Sequence, residues 1–576
     1  MRDCVSKKAI GLIAVSVISH ALTGCATYQK KSTQHLESFK AGNSAEAIAY
    51  YQNNQAGKSR QLFMVEAGRL LLLEGDFLGS HSELTKAIDE IFDLQEGSII
   101  RLKDIGGIGM SSTFLDDRMS QYNLPAFETV FTLQQQALNS IFMGNIEAAE
   151  VELRRAVYAQ DLIAEEYEKN ILAAQEEATK PDVALGMESV NQHYASMGPV
   201  LGRAKSGFQN PYVWFFSGLA YELNKDEGNA YIAYKKAWEL VPDNVYLQRD
   251  LLRLAGKLNK DEFDAFQKQF STNELVIKRP TAEIVIIYEE GFLSQRFSVG
   301  IPVFVLNGFH KVTFPVYNDG PYQPGSVRVV EKNAEIGKLM PLCYVQSLAY
   351  HDLKQRIPGI AARNISRAIT REVTKQAAAR SDNNTVKLIG LLAAGIAPLA
   401  DEADTRGWYS LPMIVQHLRE PLEPGDHNIT LVNSHYGQNL NIPLTISAGE
   451  TKLIWVADQG VRASYCVASL THPAKSSAQY AKVLGGTVSS SLVMFASSDV
   501  VHPAEFASTT MAEEHQSNPK FVGSPTELSS EMTVMKSQTS KPNKSDAKDA
   551  IEPTVPRYIK TKGSESKPKR APIAIF

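Results

Sequence analysis

Three hydrophobic rhythms follow one another along the chain. Residues 9–21 (AIGLIAVSVISHA) form a mostly apolar run. From about residue 33 to residue 270, apolar positions recur every three or four residues, which predicts amphipathic helices. From Glu283 the period drops to two. EIVIIYEEGF, FSVGIPVFVL, KVTFPVYND and SVRVVEK, and later HNITLVN, LNIPLTIS and TKLIWVAD, set β-branched and aromatic residues between Gly, Pro and Asn-Asp punctuation. A helix interrupts these strands over 356–380, with Pro358 read as a first-turn residue. Beyond about residue 470 the alternation fades, and Ser, Thr, Pro and Lys take over. The pattern predicts an α + β, multidomain chain. It has a helical domain at 33–270, a sandwich-like β-rich domain at 271–470 carrying the inserted helix, and a largely disordered low-complexity tail at 471–576.

The helical half repeats. Trp214, Gly218, Tyr221, Ala230, Tyr234, Ala237 and Pro242 sit at the offsets of the tetratricopeptide (TPR) pattern. Small residues at 218, 230 and 237 let two helices approach, large ones at 214, 221 and 234 fill between them, and the proline ends the second helix. Weaker copies occur at 61–94 (Met64, Gly68, Leu71, Gly75, Ser80, Leu84, Ala87) and at 130–163 (Leu133, Ala137, Gly144, Ala149, Leu153, Ala156). The stretch at 245–270 reads as a capping helix pair. In a TPR fold the first helix of each unit lines a concave groove, here with Tyr212, Phe215, Leu219, Glu222, Phe131 and Leu138 foremost. Such a groove suits a helix or an extended peptide of a protein partner. The same residues would equally bury one another inside a closed superhelix.

The amino-terminus sets the compartment. Arg2, Lys7 and Lys8 precede the apolar run, which is too short to cross a bilayer, and Leu22-Thr23-Gly24-Cys25 follows it. That tetrad resembles the lipobox of bacterial lipoproteins. The resemblance implies a signal peptide at 1–24, acylation of Cys25, and a short anchor-and-linker at 25–32. Acyl chains make the bilayer attachment, each buried methylene adding roughly 0.8 kcal/mol. Ala26 stands where Asp would signal retention in the inner membrane, so the implied place is the outer membrane, on its periplasmic face. Of four cysteines, Cys4 leaves with the signal and Cys25 is acylated. Cys343 and Cys466 remain, an even pair in an oxidising compartment, open to a disulfide or to two buried thiols.

Charge and motifs narrow the function. Lys plus Arg number 59 against 63 Asp plus Glu, a formal −4, so nucleic acid is not an expected partner. Arg363, Arg367, Arg371 and Lys375 repeat every four residues on the inserted helix, either as a solvated face or as a ridge for an anionic partner such as a wall-polymer carboxylate. Ala403-Asp404-Thr405-Arg406-Gly407-Trp408 reads as a recognition corner or as a turn holding a local ion pair. The last 36 residues hold nine Lys and Arg against four acids. The required first glycine of a phosphate loop ending Gly57-Lys58-Ser59 is Gln52, the twelve histidines lack ligand spacing, and neither G-x-S-x-G nor H-E-x-x-H occurs. No catalytic residue, metal ligand or cofactor is therefore expected.

The lipobox, FETVFTLQQQALNSIFMGNIEAAEVELRRA at 127–156, the NPYVWFFSGLAYE repeat and ADTRGWYSLP at 403–412 together resemble an uncharacterised family of TPR-containing lipoproteins of Gram-negative bacteria. The turn at Leu422–His427 before ITLV is similar to PEGA-type β modules of envelope proteins. These resemblances imply location and architecture. The expectation is a lipid-anchored, non-enzymatic scaffold that binds an envelope protein or peptide through its helical groove. The alternative is a peptidoglycan- or glycan-binding factor, or regulator of wall synthesis, that uses the basic helix and the β-domain.

Overall fold

The structure, a computed structural model, describes residues 28–91, 120–179, 194–270, 282–305, 308–380, 402–435, 439–471, 478–485 and 487–493, with Glu188, Val190 and Asn191 between them. All of these belong to the first of two compact units, Met1–Gln516; the second, Ser517–Phe576, contains none of them. The lipobox, residues 92–119, residues 387–400 and the basic carboxy-terminal tail lie outside the described residues.

Helices come first: α1 (Tyr28–Lys40), α2 (Ser44–Asn53), α3 (Arg60–Leu73), α4 (Phe77–Ile91), α5 (Ala126–Phe142), α6 (Ile146–Ala178), the single turn α7 (Gly198–Leu201), α8 (Pro211–Leu223), α9 (Glu227–Leu240), α10 (Val245–Leu258) and α11 (Lys260–Gln269). Sequence chemistry starts several of them. Asn210 accepts a hydrogen bond from the Tyr212 amide, with Pro211 in the first turn of α8, and Asn244 accepts from the amides of Tyr246 and Leu247 to open α10. Successive helices pack in pairs. The small residues of the repeat sit where the helices meet: a Cβ on Gly218 would lie 2.6 Å from the Tyr234 ring, and one on Gly68 would lie 2.7 Å from Leu84.

Strands follow: β1 (Ala282–Glu290), β2 (Arg296–Val305), β3 (Gly308–Tyr317), β4 (Val327–Glu331), β5 (Ala334–Lys338) and β6 (Met340–Cys343). Next come the helix α12 (Val345–Arg380) and β7 (Ile414–Leu422), β8 (Gly425–Asn433), β9 (Asn439–Ile446), β10 (Thr451–Asp458), β11 (Arg462–Ser469), β12 (Ala478–Leu484) and β13 (Thr487–Val493). The central sheet has seven strands in the order β13-β12-β11-β10-β1-β7-β6. Its one parallel pair is β1 with β10; the other pairs are antiparallel. A smaller sheet, β5-β4-β8-β9, lies on one face of it, and β2 with β3 forms a separate two-stranded ribbon.

The alternation along β1 shows how the layers fit. Val285 and Ile287 point into the core shared with the helices. Ile284, Ile286 and Tyr288 point the other way, into a second core with Val327, Val329, Ile429, Leu431, Ile442 and Leu444 of the small sheet. A strand covered on both faces reads as one continuous apolar run, which is why IVIIY lacks polar interruptions. The chain thus stacks helices, a seven-stranded sheet and a four-stranded sheet.

Two boundaries differ from the sequence reading. The inserted helix runs from Val345, not 356, and Pro358 lies inside it. Thirteen residues before the proline join the same helix because Val345, Leu348, Ala349 and Leu353 are buried on the core, and that burial outweighs the backbone hydrogen bond lost at Pro358. The β-region also continues past residue 470, since β12 and β13 extend the central sheet to Val493. Among the described helices none is long and apolar enough to cross a membrane.

Candidate functional site

The face of the helical layer that the sequence offered as a groove is filled from within. Tyr212, Phe215, Leu219, Phe131 and Leu138 are all buried. Tyr212 donates its hydroxyl to Glu289 Oε1 on β1 at 3.0 Å, and the Phe215 ring lies 4.6 Å from that of His417 on β7. Glu222 is held between two guanidiniums, Arg253 (2.9 Å) and Arg419 of β7 (3.0 Å). The expectation of an accessible groove is therefore corrected: the occupant of this face is the chain's own central sheet.

The occupant includes more than the sheet. The ADTRGWYSLP segment runs between α3 and α5 as irregular chain with a turn at Tyr409–Ser410, held by two buried carboxylates. Glu66 accepts from the backbone amides of Tyr409 (2.8 Å) and Ser410 (3.3 Å) and from the Tyr28 hydroxyl (3.1 Å). Glu128 accepts from the amide of Trp408 (3.0 Å) and the hydroxyl of Tyr122. Between them Arg69 ion-pairs with Glu289, donates to Gln135 at 2.7 Å and faces the Trp455 ring. Arg406 and Asp404 form their ion pair at 2.7 Å, so this corner is a turn inside the fold.

Burial sets the proton affinity of these groups. Burial pushes the carboxyl groups of Glu66 and Glu128 up to about 7, against the opposing pull of the hydrogen bonds they accept and, at Glu128, of the Arg296 charge. Glu222 goes the other way. Burial raises it, but Arg419 and Arg253 overcompensate and bring it to about 2. Burial, with the Arg419 charge beside it, drops His417 to about 3. Perturbed carboxylates of this kind attract a catalytic reading. Here their oxygens hold backbone amides and tyrosine hydroxyls of the same chain, which makes them clamps on a peptide segment. Sequence carried one signal for them: Glu66 and Arg69 sit in the otherwise apolar MVEAGRLLLL, Glu128 in AFETVFTL, and Glu289 at the end of IVIIY.

The basic ridge divides. Arg367 is buried and donates to Asn364, Arg363 and Arg371 are half-buried, and Lys375 is exposed beside Glu372 at 3.5 Å. Arg363, Arg367 and Arg371 each already interact within the protein. The reading of one continuous ridge is corrected, because α12 packs against α6 and the hairpin along this length. The disulfide expectation is corrected too. Cys343 and Cys466 are both buried free thiols. They lie on β6 and β11, four strands apart in the central sheet, or about 19 Å at the usual strand spacing, whereas a disulfide needs Cα atoms within about 7 Å.

One open hollow of about 670 Å³ lies on the outer side of the small sheet, lined by Val330, Lys332, Asn333, Asp426, His427, Asn428, Thr430, Val432 and Asn439. The two-residue turn that rims it needs left-handed backbone at Lys332 (φ 48°) and Asn333 (φ 68°). Thr430 donates to Asn441 at 2.8 Å. The His427 ring faces the Glu331 carboxylate on one side and the Glu423 carbonyl on the other. Both ring nitrogens therefore meet acceptors, and neither is aimed into the hollow as a base. Among the described residues no cluster of His, Cys, Asp and Glu could hold a metal ion. A scan of protein-family models matches none to this chain, and a search of curated proteins finds no match.

Proposed function

We propose that the protein is a lipid-anchored, non-enzymatic binding component of a bacterial cell envelope. In this reading the helix pairs are TPR-like repeats closed over a PEGA-like β module, Cys25 carries the acyl chains, and the body stands on the periplasmic face of the outer membrane. The ligand contact is the hollow on the small sheet, and its ligand is a hydroxyl-rich wall glycan. The observation that carries this choice is the filled helical face. With Tyr212, Phe215 and Leu219 packed inside, a protein partner cannot use that groove, and the weight moves to the exposed β-face.

The lining chemistry supports a sugar. Asn and Thr side chains both donate and accept, as sugar hydroxyls do, and Lys332 with Asp426 would meet the ionic groups of wall peptides. Sedimentation of the detergent-purified lipoprotein with peptidoglycan sacculi tests it. The wild type should pellet with the sacculi, and Asn428→Ala with Asn439→Ala should weaken that roughly tenfold, on the scale of one or two lost hydrogen bonds. Wild-type protein left in the supernatant would refute the glycan reading. Intact mass tests the anchor separately, by the acyl chains on Cys25.

A further inference from the structure

The β2–β3 ribbon ends in an apolar point. Its inner side is buried as far as Val303 and Val312, and α12 holds it there through the Asn364 amide, which donates to the Thr313 carbonyl at 2.7 Å. Past those residues the ribbon leaves the fold. Phe304 is 49% exposed and Phe309 77% exposed, with their rings 5.1 Å apart edge to face. A single exposed phenylalanine is ordinary, but two packed against each other toward the free end of a ribbon mark a contact surface.

We infer that this point is a second membrane contact, a wedge that enters the headgroup region of the bilayer bearing the lipid anchor. The inference rests on the anchoring reading proposed above. Two features favour a bilayer. The first is charge: Lys311 on β3 and Lys375 and Arg380 on α12 are all exposed, and Glu372, 3.8 Å from His310 of the ribbon, is also engaged by Lys375 and Gln376. Exposed apolar residues on an element that also carries exposed basic side chains suit an interface of acyl chains and anionic headgroups. The second is tethering. Only Ala26 and Thr27 separate Cys25 from the start of α1, a reach of about 11 Å. The root of the ribbon is fixed to that same helix, since Gln29 and Thr33 both donate to the Gln295 side chain, at 2.9 and 2.6 Å. A ribbon about 33 Å long, rooted beside the anchor, reaches the bilayer when it lies along the surface.

A fluorophore on Phe309→Cys in the lipidated protein, reconstituted into phosphatidylethanolamine–phosphatidylglycerol vesicles, tests this. The native thiols Cys343 and Cys466 are buried, and their background is subtracted with the parent chain. The label should be quenched by bromines on the lipid acyl chains. A label on Val461→Cys, at a position 59% exposed in the turn between β10 and β11, should not be. Adding Phe304→Asp should cut the tip quenching about threefold or more. A tip label quenched by aqueous iodide overturns the inference. So does one shielded from both quenchers, which would mean protein covers the tip. Intact mass of the same sample keeps the two claims apart: an acylated Cys25 with a water-exposed tip sinks the wedge alone, and lipid quenching with a bare Cys25 sinks the anchor alone.

Discussion

The two faces of β1 are built on opposite principles. Toward the small sheet, Ile284 and Ile286 meet Val327, Val329, Ile429, Leu431, Ile442 and Leu444, and polar contacts are left to the rim, where Tyr288 accepts from Asn433. Toward the helices, Glu283 and Glu289 of the same strand are matched by Arg419 and Arg69, with Glu222, Asp250 and Gln135 completing the seam. An apolar face accepts many partners of suitable volume, whereas buried charges accept only the register that pairs them. We read the seam as the device that fixes one docking of helices on sheet.

The sharpest break of that contrast is Arg69→Leu. It leaves Glu289 charged and buried, and should cost about 3–5 kcal/mol in chemical unfolding. Adding Glu289→Gln should recover a good part of the loss, and a double variant no better than the single would show that Arg69 matters only by its volume. On the other face Ile286→Ala should cost about 2–4 kcal/mol with nothing to rescue it, through lost burial and a cavity.

A pH series probes the helix side without mutation at all. A carboxyl that binds its proton more tightly in the folded state stabilises the fold at low pH. Glu66 and Glu128 rise from 4.5 to about 7 on folding, so their contribution is complete below about 4.5 and disappears as pH climbs through 7. Glu222, lowered to about 2, works in reverse and loses its contribution as pH falls from 4.5 toward 2. Thermal unfolding should therefore peak near pH 5. Glu66→Gln should remove on the order of 2 kcal/mol of the difference between pH 5.5 and pH 8; an unchanged slope would mean that Glu66 does not titrate in this range. The smallest effect expected is none: reductant should leave the transition where it is, because Cys343 and Cys466 are apart. A fall in melting temperature on reduction would contradict the strand order.

Some of this was legible in one dimension. Gly218 with Tyr234, and Gly68 with Leu84, announced helix pairs because a close crossing needs a missing side chain at a fixed spacing. IVIIY announced a strand, but the period of two read there did not announce that both of its faces would be covered. The Asp404–Arg406 pair was within reach because its partners are two residues apart. The polar seam was not. Arg69 and Glu289 are 220 positions apart, and Glu66 grips an amide 343 residues away. In sequence each is only a charge inside an apolar run. Nothing local tells a charge that ends a helix face from one that waits for a partner across the fold.

Local pattern by itself determined where helices give way to strands and which side of each turns inward, since periodicity is a property of neighbours along the chain. What lies against the inward side was decided only by the tertiary structure. The same apolar stripe on α8 serves an open groove or a closed interface equally well. The choice fell to β1, β7 and the segment at 403–412, whose arrival on that stripe depends on contacts between distant residues that no spacing rule records.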